Sequence, residues 1–145
     1  MDEPDDWVAK SAIAELVTLY AALNDAGDWD AVALLYTEDG RMSRPAAPDD
    51  FFAGRGAILE SFRARPPRAA RHIVANVLVT LKGHGHASAT SQILLFAGSF
   101  AADGGLPVLS GSAPLIGTYR DQIIRTEQGW RFVERRGSLD FKVLK

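Results

Sequence analysis

The sequence contains two side chains that could work together as an acid–base pair. His72 opens a segment, Arg71 to Lys82, whose apolar residues alternate as they do in a β-strand. Asp25 falls at the end of a helical pattern, next to Asn24 and just before Gly27. The helix dipole disfavours a carboxylate at this end, and a histidine would compensate for it. Taken separately, Asp25 also fits a solvated helix end, and His72 a half-exposed strand start.

Further polar side chains lie on the same elements as this pair. Tyr20 precedes Asp25 on the helix, and Asn24 is one turn beyond Tyr20. Alternate residues of a strand point to the same side, so Asn76 is predicted to share a face with His72, together with Val74 and Leu78.

A second strand, Leu115 to Thr126, brings three more candidates. Its alternation puts Tyr119, Asp121 and Arg125 on one face. Both faces of this strand mix polar and apolar residues, so the pattern leaves open which of them lines a pocket. For Arg125 the alternative is an ion pair between strands on the surface.

Two other motifs carry weaker signals. His84 and His86 flank a glycine in a predicted turn and have no further ligands at a useful spacing, so we expect no metal site. Four arginines surround a pair of prolines, where we expect a solvated surface segment and, as the alternative, an anion-steering patch at a pocket mouth. They are Arg63, Arg65, Arg68 and Arg71.

The composition is that of one soluble domain spanning residues 1–145. Hydrophobic residues make up 47% and charged residues 23% of the chain, which suffices for a core. The absence of cysteine excludes disulfides and thiolate sites, and a net charge of −2 gives no support for nucleic-acid binding. No apolar stretch approaches the roughly 20 residues of a membrane span, and the acidic residues 1–6 are unlike a signal peptide. We therefore expect a cytoplasmic protein.

Helical spacing dominates the first half of the chain and strand alternation the second. This order predicts an α+β fold, with helices packed on an antiparallel sheet whose curvature would enclose a ligand pocket. Apolar residues on both faces of several strands predict a homo-oligomer. The predicted helices begin near Trp7 and end before Gly27, then cover Trp29 to Tyr36 and about Ala57 to Ala64. The predicted strands are Arg41 to Arg44, Phe51 to Ala53, Arg71 to Lys82, His86 to Ala97, Leu115 to Thr126 and Trp130 to Phe141, with loops at Pro45 to Asp50 and Ala101 to Pro114.

Four stretches in order resemble the SnoaL-like branch of the nuclear transport factor 2 superfamily. They are YAALNDAGDWDAVALLYTEDG (20–40), GRGAILESF (54–62), RHIVAN (71–76) and GTYRDQIIRTEQGWRFVERR (117–136). The resemblance implies a cone-shaped α+β barrel of three helices against a curved, mostly antiparallel sheet with a deep cavity. It also implies a homodimer or homotrimer.

The resemblance further implies a catalytic site, because dehydratase and dehydrochlorinase members pair an Asp at the end of the first helix with a His opening the long strand. Asp25 and His72 match these positions, and Arg125 matches a cavity arginine. Such a dyad would make the protein a cofactor-independent lyase of the dehydratase type, with His72 as general base and no metal. The expected substrate is small, largely apolar and cyclic, held by residues that include Tyr20, Asn24, Asn76, Tyr119 and Asp121. The alternatives are an isomerase, a polyketide cyclase, and a non-catalytic ligand-binding or oligomerising domain such as a dioxygenase small subunit.

Overall fold

The computed structural model describes residues 4–111 and 113–142. Residues 1–3 of the acidic N-terminal segment and residue 112 of the predicted 101–114 loop lie outside the described residues. The described elements are α1 (Pro4–Ala26), α2 (Trp29–Ala33), β1 (Tyr36–Arg44), β2 (Ala47–Ala53), α3 (Arg55–Arg63), β3 (Ala69–Gly83), β4 (His86–Ser99), β5 (Val108–Leu109), β6 (Leu115–Thr126) and β7 (Gly129–Leu139).

The strands form a single curled sheet that carries the helices. Their order is β2-β1-β7-β6-β4-β3, and β5 pairs with β4 outside this path. β1 and β7 run parallel, whereas all other described strand pairs are antiparallel. The sheet curls strongly into a half-barrel, against which the helices pack. The predicted α+β cone with a mostly antiparallel sheet is therefore confirmed.

The region after α1 differs from the prediction. Helical spacing predicts a second helix as far as Tyr36, whereas α2 ends at Ala33 and Tyr36 begins β1. The backbone N–H of Phe132 donates to the carbonyl oxygen of Leu35 at 2.8 Å, and Tyr36 is completely buried. Because Tyr36 pairs with the distant β7, it forms a strand although local spacing predicts a helix there.

Two predicted loops contain strands. The chain turns at Pro45 and Ala46 and then forms β2, where the sequence predicts a loop over 45–50. Pro48 is accommodated because β2 is the edge strand of the sheet, where a residue without an N–H is tolerated. β5 is a two-residue strand within the predicted 101–114 loop.

A β-bulge in β3 changes which side chains face the core. The register against β4 shifts by one residue between Ala75 and Leu78, so β3 holds one extra residue there. Asn76 adopts a left-handed backbone with φ of 54°, and both Asn76 and Leu78 are exposed. The prediction that they share the face of His72 is therefore wrong, and Val77 packs against the core instead.

The core lies between the three helices and the inner face of the sheet. Its completely buried apolar side chains come from all of these elements: Ile13, Val17, Val32, Tyr36, Ile58, Phe62 and Phe132. Within the described ranges, none of the helices has both the length and the apolar character required to cross a membrane.

Candidate active site

The end of α1 fixes the position of Asp25. The helix closes in a Schellman motif, in which Gly27 N–H donates to the Asn24 oxygen at 3.1 Å and Asp28 N–H donates to the Leu23 oxygen at 3.0 Å. Gly27 has a φ of 71°, a conformation that glycine adopts without a steric penalty. The last turn of α1 carries no basic residue, so the carboxylate of Asp25 must be compensated from another element.

His72 provides that compensation from the start of β3. Its Nδ1 lies 2.5 Å from Oδ1 of Asp25, and its backbone N–H donates to Oδ2 at 2.9 Å and to Oδ1 at 3.1 Å. Arg71 adds a guanidinium 3.8 Å from Oδ2. The side chains of Asp25 and His72 are 11% and 7% exposed. The predicted hydrogen bond between the two side chains is confirmed.

This contact also sets the protonation state of the imidazole. An ionised carboxylate can only accept a hydrogen bond, so Nδ1 carries the hydrogen and Nε2 keeps a lone pair. Burial lowers the pKa of His72 below its usual 6.5; Asp25 opposes this change, and Arg68 and Arg65 reinforce it. His72 is therefore neutral near pH 7 and suited to act as a general base.

His72 lines an open cavity of about 420 Å³. The cavity is bounded by α1, β1, the segment after α3, and strands β3, β4 and β6. Ile93, Leu95 and Leu115 supply an apolar wall. Asp25 lies outside the set of lining residues, and its contact with the cavity is through His72.

Three other predicted residues line this cavity: Tyr20, Asn24 and Tyr119. The Tyr20 hydroxyl is hydrogen-bonded to that of Tyr36 at 3.0 Å and donates to Sδ of Met42 at 3.5 Å, and burial together with Tyr119 raises its pKa to about 12. Within the described parts of the chain, the Tyr119 hydroxyl has no hydrogen-bond partner. Burial raises the pKa of Tyr119 as well, so this hydroxyl stays protonated as a donor.

The structure does not bring Arg125 or Asn76 to the cavity. Arg125 is exposed near the end of β6, where its backbone N–H donates to the Gly85 oxygen at 2.8 Å. Because strand residues advance about 3.3 Å each, Arg125 lies roughly 20 Å along the strand from Tyr119. The bulge turns Asn76 outward, where its Nδ2 donates to Oε1 of Gln92 at 2.5 Å.

Asp121 is buried and pairs with Arg135 in the core, and it does not line the cavity, so the prediction that it binds the substrate is wrong. Nε and Nη2 of Arg135 donate to the two carboxylate oxygens at 2.9 Å and 3.3 Å. The guanidinium lies 4.3 Å from the ring centroid of Tyr20 and 3.9 Å from that of Tyr119. Asp121 is therefore a supporting residue behind the two tyrosines that line the cavity.

Three arginines that the sequence analysis did not place among the site residues line the cavity. Arg44, at the end of β1, and Arg65, after α3, both line it, together with the exposed Arg68. The expectation that this arginine cluster is simply solvated is wrong for Arg65, which is only partly exposed. The minority interpretation, an anion-steering patch at a pocket mouth, was the available signal for Arg65 and Arg68.

Metal ligands are not clustered in the described part of the chain. No group of three or more His, Asp or Glu side chains lies close enough there to hold an ion. His84 and His86 are both exposed. That the reaction needs no cofactor stays a prediction.

The curled mixed sheet, the helices packed on it and the cavity define an NTF2-like α+β cone. The SnoaL-like domain family matches residues 7–136, and the chain belongs to this family. No curated protein sequence matches significantly.

Several solved structures share this fold. A protein from Novosphingobium aromaticivorans described as a candidate scytalone dehydratase aligns with a TM-score of 0.77 and 20% identity, over 94% of this chain and 87% of that chain. A candidate dehydratase of the NTF2-like family from Streptomyces avermitilis gives a TM-score of 0.78 and 17% identity, over 96% and 100%. An NTF2-like protein with a cystatin-like fold from N. aromaticivorans gives 0.73 and 24%, over 97% and 92%. At these identities the likeness establishes the fold alone.

Proposed function

We propose that this protein is a cofactor-independent lyase of the dehydratase type, in which His72 removes a proton from a carbon next to a carbonyl group. The observation that carries the proposal is the hydrogen-bonded Asp25–His72 pair at the wall of an open cavity. Asp25 holds the tautomer that leaves Nε2 free and stabilises the imidazolium that forms. The names of the N. aromaticivorans and S. avermitilis structures also favour dehydration chemistry.

The proposed reaction balances without any added group. Nε2 of His72 takes the proton, and the electron pair of the broken C–H bond forms the new double bond. The bond to the hydroxyl group on the neighbouring carbon breaks, and the proton returns from the imidazolium to this oxygen, so water leaves. In this scheme the hydroxyl of Tyr119, which lines the same cavity, donates to the carbonyl oxygen as negative charge develops on it.

The cavity also limits the substrate. A volume of about 420 Å³ is at the small end of ligand sites and suits a molecule of one or two rings. Ile93, Leu95 and Leu115 would pack against the apolar part of such a molecule. Isomerases and polyketide cyclases begin with the same proton transfer, so these alternatives share the site.

Hydrogen–deuterium exchange tests the proton transfer before the natural substrate is known. The protein is incubated in D₂O with a panel of cyclic ketones and cyclic β-hydroxyketones, and NMR follows the loss of the α-proton signal and the appearance of enone. We expect wild type to accelerate exchange on at least one compound and His72→Ala to be about 10²–10⁴-fold slower. His86→Ala removes an exposed histidine and is the matched control.

Two results would contradict the lyase proposal. Equal exchange rates in wild type and His72→Ala would move the base elsewhere. The absence of exchange and elimination across the panel, with ligands still bound, would favour a non-catalytic binding domain. On an active compound, Asp25→Asn should be impaired as well, and the double variant should be little worse than either single one because the two residues act as a unit.

The remaining expectations from the sequence are untested proposals. We propose that the protein is a homodimer or homotrimer, which light scattering in solution would test. Its cytoplasmic location stays a prediction that fractionation of the host cell would test.

A further inference from the structure

The cavity carries more positive charge than the proposed proton transfer requires. Arg44 and Arg65 both line it, and the exposed Arg68 lines the same cavity. Among the described residues, no carboxylate forms an ion pair with any of these three arginines. Asp25, the acid of the proposed mechanism, already contacts His72 and Arg71.

The two inner arginines are held in place by contacts that leave their charge uncompensated. Nη2 of Arg44 donates to the backbone oxygen of Ser61 at 2.7 Å, whereas its Nε is buried and has no partner. The Arg65 guanidinium lies over the Phe62 ring, 4.4 Å from the centroid. Burial, and after it the neighbouring cation Arg44, lowers the pKa of Arg65 to about 10.

A buried donor without a partner and two neighbouring cations are each costly in a folded protein. An anionic ligand in the cavity would offset the repulsion between the two cations, because Arg44 and Arg65 both line it. A planar carboxylate matches a guanidinium in a bidentate geometry, and the apolar wall accommodates the rest of a ring-sized molecule.

We propose that Arg44 and Arg65 form an anion subsite that binds a carboxylate group on the substrate and so orients the substrate towards His72. That the bound anion is a substrate rests on the proposed function. Binding of an anion by Arg44 and Arg65 does not depend on catalysis. Arg44 and Arg65 are positioning residues in this scheme, since the proton transfer takes place at Nε2 of His72. Arg68 steers the anion towards the cavity from the exposed rim.

The subsite has an electrostatic consequence at His72. The charged groups that act on the imidazole are Asp25 from α1 and Arg65 and Arg68 from the segment after α3, and Arg71 contacts the carboxylate of Asp25. Arg68 and Arg65 lower the pKa of His72. An anion bound at Arg65 offsets their charge, so occupation of the subsite should raise the pKa of His72.

Benzoate and benzamide test the subsite, since they have the same ring and differ in charge. Calorimetry should show that wild type binds benzoate at least tenfold more tightly than benzamide. Arg65→Met should abolish this preference, a loss of about tenfold to hundredfold for benzoate, whereas Arg65→Lys should keep part of it. Arg120→Met removes an exposed arginine from the outer face of the sheet and should behave as wild type. NMR titration should show that benzoate, and not benzamide, raises the pKa of His72 in wild type.

Specific results would overturn the subsite. Equal binding of benzoate and benzamide by wild type contradicts it without any variant, which matters if Arg65→Met fails to fold. Tighter binding of phenyl phosphate than of benzoate would refute the assignment to a carboxylate. Benzoate preference in a protein that exchanges no α-protons would leave the subsite standing and reject the lyase. Conversely, proton exchange on neutral ketones that depends on His72, in a protein that binds benzoate no more tightly than benzamide, would support the lyase and reject the subsite.

Discussion

Replacing Arg135 by methionine should lower the free energy of unfolding by about 3–5 kcal/mol, because Asp121 would be left buried without a counter-ion. Both side chains are essentially inaccessible, at 1% and 0% exposure. The guanidinium also lies over the rings of Tyr20, Tyr119 and Phe132, at 4.3, 3.9 and 4.6 Å from their centroids. The substitution therefore removes an ion pair and loosens two tyrosines that line the cavity.

The Asp121–Arg135 ion pair is expected to contribute much less to the free energy of unfolding than is lost when only one of its two residues is replaced. Taking two charges out of water offsets most of the attraction between them, so Asp121→Leu combined with Arg135→Met should recover most of the stability lost in Arg135→Met. A double variant as unstable as the sum of both single variants would refute this account. So would a loss below about 1 kcal/mol in Arg135→Met.

Urea unfolding monitored by circular dichroism measures these differences, and the neighbouring Arg136→Met is the control. Arg136 pairs with Asp49 on the surface, where such a pair is worth about 0–1 kcal/mol. The pH dependence gives a second test. In Arg135→Met, burial without a counter-ion raises the pKa of Asp121 in the folded state, so the folded protein keeps a proton that the unfolded chain has released. Its stability should therefore fall as pH rises from the ordinary aspartate pKa, about 3.9, and its deficit should be smallest in acid.

Three further predictions concern the base, the sheet and the assembly. Because burial lowers the pKa of His72, the acid limb of kcat/KM should lie below pH 6.5, and Asp25→Asn, which removes a carboxylate that raises this pKa, should move the limb to lower pH. Because the pKa of His72 is lower in the folded protein, this histidine is protonated in the unfolded chain first as the pH drops. The free energy of unfolding should therefore fall below pH 6.5, and urea titrations should show a weaker pH dependence for His72→Ala. Because position 76 has a left-handed φ, Asn76→Val should lower the free energy of unfolding in urea by about 1–2 kcal/mol, whereas Asn76→Gly should change it by no more than about 0.5 kcal/mol. Equal stabilities of the two variants would argue against the bulge. Light scattering should give a dimer or trimer, and Leu78→Glu, at a side chain that is 70% exposed on the outer face, should yield a smaller species; a monomeric wild type would refute the assembly.

The sequence was sufficient for the elements that depend on local pattern. Helical spacing, strand alternation and the Schellman glycine after Asp25 are properties of neighbouring residues, and they indicated the α+β cone. The acid at the helix end suggested a compensating partner, but the pairing of Asp25 with His72 was predicted from the resemblance to the SnoaL-like family. Residues whose conformation depends on distant pairing were harder, and Tyr36 is the example: its strand forms with β7, almost a hundred residues further along the chain.

The error at Asn76 and Leu78 has a physical cause in a β-bulge, and β7 contains a second bulge. In β3 the extra residue at Asn76 moves Leu78 outward. In β7 the register against β6 also shifts by one residue, between Phe132 and Glu134, so that Phe132 and Arg135 both face inward although they are three positions apart. Strict alternation from Phe132 would have put Glu134 there. The second bulge brings a cation beneath Tyr20 and Tyr119, and the inward-facing Asp121 then has a partner in the core.

The cavity arginines show why apolar content alone predicts a ligand poorly. Arg65 follows α3 next to two prolines, a composition that is typical of solvated loops. It reaches the cavity because this segment links α3 to β3 and passes along the cavity wall beside His72, near the start of β3. Any side chain there is carried to the pocket mouth by the connection itself, so its charge acts on whatever enters. If the proposed anion subsite is correct, this connection and Arg44 at the end of β1 select the ligand together with the apolar strands that form the wall.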